Sequence, residues 1–235
     1  IKIFDFNDED GLEQIFEDNF EQISCIILEP AMFENPTRSF LKKVRTLADK
    51  NNSILILDEI VTGFRYHIEG GQSLFKIDGD IMCFGKGMAN GMPLSAITGK
   101  TEFMKKFDDL WVSSTNNREA LSIVSSIATI KEMKEKDTIS HCWIMGSILM
   151  EEVNKLAKSF SLNIELKGFP VRMMLVCKNK DNQVSKVLKG LVLQELVKLG
   201  VFLSPGPIYL SFSHKIEDIK ETINKFEMVF KKISQ

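Results

Sequence analysis

The 235-residue chain has no excess of charge of one sign, no paired cysteines and no apolar run long enough to cross a bilayer. Lys and Arg number 30 against 32 Asp and Glu, giving a net charge of -2. Without a clustered basic face a nucleic-acid partner has no electrostatic basis, and a small-molecule role is expected instead. The four cysteines, Cys25, Cys83, Cys142 and Cys177, stand mostly inside apolar runs and show no CxxC spacing. They are expected to be buried thiols of a reducing compartment, and no metal site is signalled. Nor is there a charged-then-apolar leader, so a soluble cytoplasmic protein with no membrane partner is expected. The first residue is Ile1, inside the strand-like alternation IKIFDF, and from this a missing upstream portion is expected.

What is present is an alternation of strands and helices. After the opening strand, NDEDGLEQIFEDNF places acidic residues ahead of Leu12, Ile15 and Phe16, as a short helix requires. ISCIILEP reads as a buried strand. Thr37 is expected to cap a helix carrying Leu41, Val44, Leu47 and Ala48 at helical spacing, which Asn51-Asn52 ends before a strand over Ile54 to Leu57. Strands separated by helices of this length favour a parallel sheet covered on both faces. A strand from Ile81 to Phe84, a glycine-rich GKGMANGMP and a strand in LSAITGK continue it. Two helices follow, Glu119 to Met133 and Ile139 to Phe160, the second long enough to link domains. The remainder reads as strands IELKG and VRMMLVC, a helix Val184 to Leu199, short strands VFL and IYLSF, and a helix Ile216 to Ile233. The expected division is a large domain with its linker helix over 1–159 and a small α+β domain over 160–235.

Two strand-like runs end on a charge. Asp58 closes ILILD, and Lys86 follows IMCF among Gly85, Gly87 and Gly91. In a parallel sheet, ligands bind beyond the carboxyl ends of the strands, where both residues would stand. A plain ion pair is one reading. The other starts from the glycines, which permit tight turns and close approach by a ligand. A lysine partly desolvated in such a cleft becomes a nucleophilic amine able to form a Schiff base. If the aldehyde belongs to pyridoxal phosphate, Asp58 gains a purpose too: a carboxylate beside the ring nitrogen keeps it protonated.

ILILDEIVTGFR together with CFGKGMANGMPLSAITGK resembles the class III aminotransferases, nearest the glutamate-1-semialdehyde 2,1-aminomutase-like branch. The likeness extends through EPAMFENP, STNNREALSIVSSIATI and LQELVKLGVFLSPGPIYLSFSHKIEDIKETI, and so covers essentially the whole chain. It implies an α/β fold of type I pyridoxal-phosphate transferases, with part of the large-domain mainly parallel sheet and a C-terminal α+β small domain. It implies Lys86 as the lysine that carries the cofactor aldehyde and shuttles protons, and Asp58 as the ring-nitrogen partner. Ile60 would pack on one ring face. Thr115 matches a threonine that binds the cofactor phosphate of the neighbouring subunit, so a homodimer is implied. Where family members carry an aromatic and glycines after that threonine, this chain has Asn116, Asn117 and Arg118. The family's phosphate cradle and its second ring-stacking residue lie upstream of Ile1.

The expected activity is amino-group transfer with a small-molecule amine or amino acid as substrate, by an aminotransferase or an aminomutase. Two rivals stand beside it. A cofactor-free Schiff-base lyase would use Lys86 directly on a substrate carbonyl. A catalytically inactive remnant would serve as a binding or oligomerisation module. Glu29 either lines the cleft or caps a turn; Glu59 reads as structural, and Arg65 as a brace for the site. Arg172 reads as a half-buried packing and ion-pair residue, with a substrate carboxylate as its alternative partner. His67, His141 and His214 are isolated and enter no site.

Overall fold

Apolar residues at alternate strand positions and at helical spacing are matched across one sheet face, and this builds the first half of the molecule. The computed structural model describes residues 1–112 and 115–234. Its first compact unit is Ile1–Lys136. Helix α1, Glu9–Asp18, is capped by Asp8, whose carboxylate accepts the Gly11 N–H. Helix α2, Arg38–Lys50, is capped by Thr37, whose hydroxyl accepts the Phe40 N–H at 3.1 Å, as the sequence predicts. Both lie on one face of a four-stranded sheet of β1 (Cys25–Leu28), β2 (Ile54–Asp58), β3 (Ile81–Phe84) and β4 (Ala96–Gly99). The strands stand in sequence order, and three further helices, α3 (Gly71–Phe75), α4 (Thr101–Met104) and α5 (Ala120–Glu135), belong to the same unit. Ile26, Leu28, Leu55 and Leu57 are buried against Leu12 and Phe16 of α1 and Phe40, Leu41, Val44 and Leu47 of α2.

β1, β2 and β3 run parallel, with Leu28 opposite Leu57 and Asp58 opposite Cys83. The structure adds the direction of β4 and departs from the sequence reading in three places. β4 is antiparallel to β3, because only the short 3-10 turn Lys86–Ala89 and the loop after it intervene, too little chain for a parallel crossover. The IKIFDF segment forms no strand; Phe4 and Phe6 turn inward to the Phe40 ring, at centroid distances of 6.3 and 5.2 Å. The sheet is not covered on both faces either. Ile27 and Ile97 remain 59 and 46 % exposed, and Cys25, expected to be buried, is exposed beside them.

The strands are clamped where they enter the sheet by Asp80, just ahead of β3. Its carboxylate accepts the Leu55 N–H at 2.8 Å and pairs with Lys100 at 2.6 Å and Arg45 at 3.0 Å. Burial alone raises the Asp80 carboxyl. The Leu55, Lys100 and Arg45 bonds outweigh it and hold the group below the ordinary carboxylate value.

The second compact unit is Asp137–Gln235. Its long helix α6 (Thr138–Ser159) packs on the hairpin β5 (Ile164–Phe169) and β6 (Arg172–Cys177) and on α8 (Ile216–Ile233). Met145, Leu149, Val153 and Ala157 of α6 share one core with Leu166, Met173, Leu175, Phe226 and Phe230. The helix expected to link domains therefore belongs to this unit's core. Gly146 lets α6 approach the hairpin turn: a Cβ there would lie 2.0 Å from the Pro170 carbonyl oxygen. The short strands expected in VFL and IYLSF reduce to one bridge, Ile208 to Met173. Helix α7 (Lys186–Lys198) is tied to α8 through Glu195, which pairs with Lys198 and Lys232, both at 2.6 Å, and is held down to about 2 by them.

The folded-state value of Asp80 is depressed, so its contribution to stability is complete above the unfolded carboxylate value near 4 and is lost as pH falls through the folded value. Asp80→Asn is expected to cost about 2 kcal/mol at neutral pH, the usual worth of hydrogen bonds to a charged group, and to flatten the acid limb of the stability curve. Urea midpoints of both proteins between pH 3 and 7 check this.

Candidate active site

Parallel pairing brings the carboxyl ends of β2 and β3 together, and both charges singled out in the sequence stand there. Asp58 is the last residue of β2, half-buried and opposite Cys83. Its Oδ1 accepts the Ile60 N–H at 3.0 Å, while Oδ2 has no hydrogen-bond partner among the described residues. Burial raises the Cys83 thiol, and the charge on Asp58 raises it further. Ile60 lies over the start of the lysine turn: a Cβ on Gly85 would sit 3.7 Å from the Ile60 Cγ2.

Lys86 begins the 3-10 turn Lys86–Ala89, which starts at extended Gly85 and ends at left-handed Asn90. Its own φ is 43°, a left-handed conformation that costs a non-glycine residue about 1 kcal/mol or more. The turn is held by its far end, where Met88 and Ala89 are buried and the Ala89 carbonyl accepts the Ser125 hydroxyl at 3.2 Å. Ser125 belongs to α5 (Ala120–Glu135), which packs on this turn. The Lys86 side chain is exposed and makes no ion pair or hydrogen bond among the described residues. Asp58 and Lys86 are therefore not the plain ion pair that their charges alone would allow.

Thr115 lies exposed in the turn that leads into α5. Glu119 caps that helix, accepting the Leu121 and Ser122 N–H groups at 2.7 Å each. The lysine turn and the Thr115 turn are thus both anchored to one helix. Ser114, at the head of the stretch quoted for its resemblance, lies outside the described residues.

Between β2 and the next helix, α3 (Gly71–Phe75), runs EIVTGFRYHIEGG. Glu59, read from sequence as structural, is fully buried, and its carboxylate accepts Gly71 N–H and Gln72 N–H at 2.7 Å each and the Thr62 hydroxyl. Nothing in the sequence marks it as buried. The only signal was its place in the motif. Gly63 is required sterically: a Cβ there would lie 2.6 Å from the Phe84 ring and 2.7 Å from the Glu59 carbonyl oxygen. Phe64 follows in a left-handed conformation, φ 57°, its ring 5.6 Å from that of Phe84. Arg65 Nε donates to the Val61 carbonyl at 3.1 Å, bracing the loop from within.

The other candidates fall elsewhere. Glu29 is half-buried just after β1. Arg172 opens β6 in the second unit and is buried, not half-buried. His67 accepts the Glu69 N–H, His141 Nε2 meets the His214 carbonyl at 2.8 Å, and His214 accepts the Ser211 N–H. Of the four cysteines, none of them in a disulfide, only Cys177 is buried, and burial pushes its thiol up to about 11. Among the described residues no group of three or more His, Cys, Asp and Glu is placed to hold a metal, and no helix is long and apolar enough to cross a membrane.

This backbone is that of the fold type I pyridoxal-phosphate transferases. It superposes on the PLP internal aldimine form of the Sphingopyxis sp. MTA144 FumI protein with a TM-score of 0.91, at 20 % identity, covering 99 % of this chain and 57 % of that one. Residues 6–230 match the family model for aminotransferase class-III, and the chain belongs to that family. It is 29 % identical to the glutamate-1-semialdehyde 2,1-aminomutase of Methanococcus maripaludis strain C7, over 97 % of this chain and 57 % of the relative. To the 3-aminobutyryl-CoA aminotransferase of Cloacimonas acidaminovorans strain Evry it is 31 % identical, over 94 % of this chain and 55 % of the relative. The chain thus spans a little over half the length of these relatives.

Because of the contacts at Gly63, Gly63→Ala is expected to cost about 1–3 kcal/mol through overpacking. Gly87→Ala, where the nearest atom to a new Cβ is 3.8 Å away, should change stability by less than about 0.5 kcal/mol. Denaturant midpoints of the two variants check the contrast.

Proposed function

We propose that this chain carries the lysine-bearing half of a pyridoxal-phosphate-dependent enzyme of amino-group transfer, an aminotransferase or an aminomutase. The observation that supports it most is what the sheet's carboxyl edge presents: a half-buried carboxylate with one oxygen unengaged at the end of β2, and an unpaired lysine on a strained turn among glycines just after β3. These residues fit the cofactor. The open Asp58 Oδ2 can accept a ring N–H, and the unpaired Lys86 amine can meet an aldehyde. The names of two curated relatives agree in chemistry, one an aminomutase and the other an aminotransferase.

Pyridoxal phosphate, when bound, supplies an aldehyde and a protonated ring that takes up the electron pair left when a substrate carbon loses its proton. Asp58 Oδ2 would hold the ring-nitrogen proton, and the Ile60 N–H fixes the direction of that carboxylate. Ile60 excludes water from one ring face. Lys86 Nζ would tether the cofactor through its aldehyde and, as a free amine, would take up and return the proton of the substrate carbon. The left-handed backbone at Lys86, anchored through Met88, Ala89 and Ser125, fixes where that amine starts. Thr115, exposed ahead of α5, binds the phosphate of a cofactor held by a second copy, which makes the working form a homodimer. The units take the roles of a cofactor-binding large domain and a small domain, and the cytoplasm is the compartment that suits four cysteines outside any disulfide.

The test is an absorbance titration with pyridoxal phosphate, on this chain and on a form extended to the length of the relatives, each with its Lys86→Ala counterpart. The extended form is expected to develop a visible band that Lys86→Ala abolishes, and borohydride followed by peptide mapping should place the adduct on Lys86. No band in the extended form, with hydride trapping of a carbonyl substrate on Lys86, would favour a cofactor-free lyase. Neither signal would favour the inactive module.

A further inference from the structure

We infer that Glu59 is a positioning residue of this site: its buried carboxylate fixes the loop after β2 and thereby aims the Asp58 carboxylate. The inference rests on the cofactor reading above. Glu59 stands between Asp58 and the residue whose N–H holds Asp58 Oδ1. Its main-chain N–H donates to the Cys83 carbonyl at 2.9 Å, and its own carbonyl accepts the Gly63 N–H at 2.8 Å. Its side chain, fully buried, accepts from the Gly71 and Gln72 N–H groups and from Thr62. Both oxygens thus meet donors, as a polar group out of water requires.

The backbone is shaped around this group. Gly70 has φ 91°, and a Cβ on it would meet Glu59 Oε1 at 2.7 Å; a Cβ on Gly71 would meet the Thr62 Cβ at 3.1 Å. Two successive glycines therefore let the α3 end of the loop close on the carboxylate. With the loop tied at both of its ends to Glu59, the Ile60 N–H has one orientation, toward Asp58. A glutamine at 59 would turn an NH2 group toward one of the donors, and the loop would open around it.

The experiment compares Glu59→Gln, Thr62→Val and Asp58→Asn in the form extended to the length of the relatives, with Val44→Ala in the α2 core as a control for lost stability alone. Amide hydrogen exchange is read without cofactor; the visible band and single-turnover rate with an amine are read after adding pyridoxal phosphate. Ile60 N–H is expected to exchange about tenfold faster, relative to the β2 strand amides, in Glu59→Gln, and less so in Thr62→Val. Val44→Ala should leave that ratio unchanged. The rate in Glu59→Gln should fall about 10- to 100-fold, the usual effect of losing a group that orients a site residue, with the band's pH dependence displaced in the direction seen for Asp58→Asn. Glu59→Gln that resembles Val44→Ala, less stable but with Ile60 protected and the band's pH dependence unchanged, would overturn the inference. A wild type without any band, in which Ile60 exchange still responds to Glu59→Gln, would overturn the cofactor reading instead.

Discussion

Parallel pairing of β2 with β3 is the constraint on which the rest of the site depends. With Asp58 opposite Cys83, the carboxyl ends of both strands emerge at the same edge, where a carboxylate and an amine far apart in sequence stand. That register is enforced from the other end. Asp80 takes the Leu55 N–H into its carboxylate while its main-chain N–H donates to the Leu55 carbonyl at 2.8 Å, so a slip of one residue would break both bonds at once. It would also turn Leu55 and Leu57 out of the core beneath α1 and α2.

Three acidic residues near this sheet show how burial and partners assign different duties to similar groups. Asp80 and Glu59 are buried and surrounded by donors, which makes them structural anchors at opposite ends of the strands. Asp58, half-buried, has one oxygen engaged and the other open. A carboxylate held in direction but not saturated is the arrangement a recognition or catalytic group needs. Lys86 is its counterpart: the backbone is fixed by Met88, Ala89 and Ser125, while the amine is left without a partner. Rigid support below and unspent bonding capacity above are found together at this one edge.

The open side of the sheet gives a second view of the same molecule. Ile27 is exposed on β1, whose Ile26 and Leu28 are buried, and Ile97 is exposed on β4, whereas parallel strands ordinarily have apolar residues covered on both sides. The family relatives are longer by more than two-fifths of their own length. An apolar sheet face without a cover and a family fold only partly spanned are compatible facts about this chain.

Much of the architecture was legible in the sequence because it rests on local rules. The spacing of Leu41, Val44 and Leu47 and the Thr37 cap determine α2, and apolar runs ending on a charge determine β2 and β3. Asp58, Ile60, Lys86 and Thr115 could be picked out as candidates from their motifs, with Asp58 and Lys86 already placed at strand ends. Tertiary contacts decided the rest. IKIFDF alternates like a strand, yet Phe4 and Phe6 gain more by closing over Phe40, a partner no local pattern reveals. The direction of β4 and the fading of VFL and IYLSF into a single bridge depend on which backbone groups find partners across the sheet. Glu59 is the plainest case. Its place beside Asp58 is written in the chain, but its burial exists only because the loop folds back and brings the Gly71 and Gln72 N–H groups to it, a dozen residues further on.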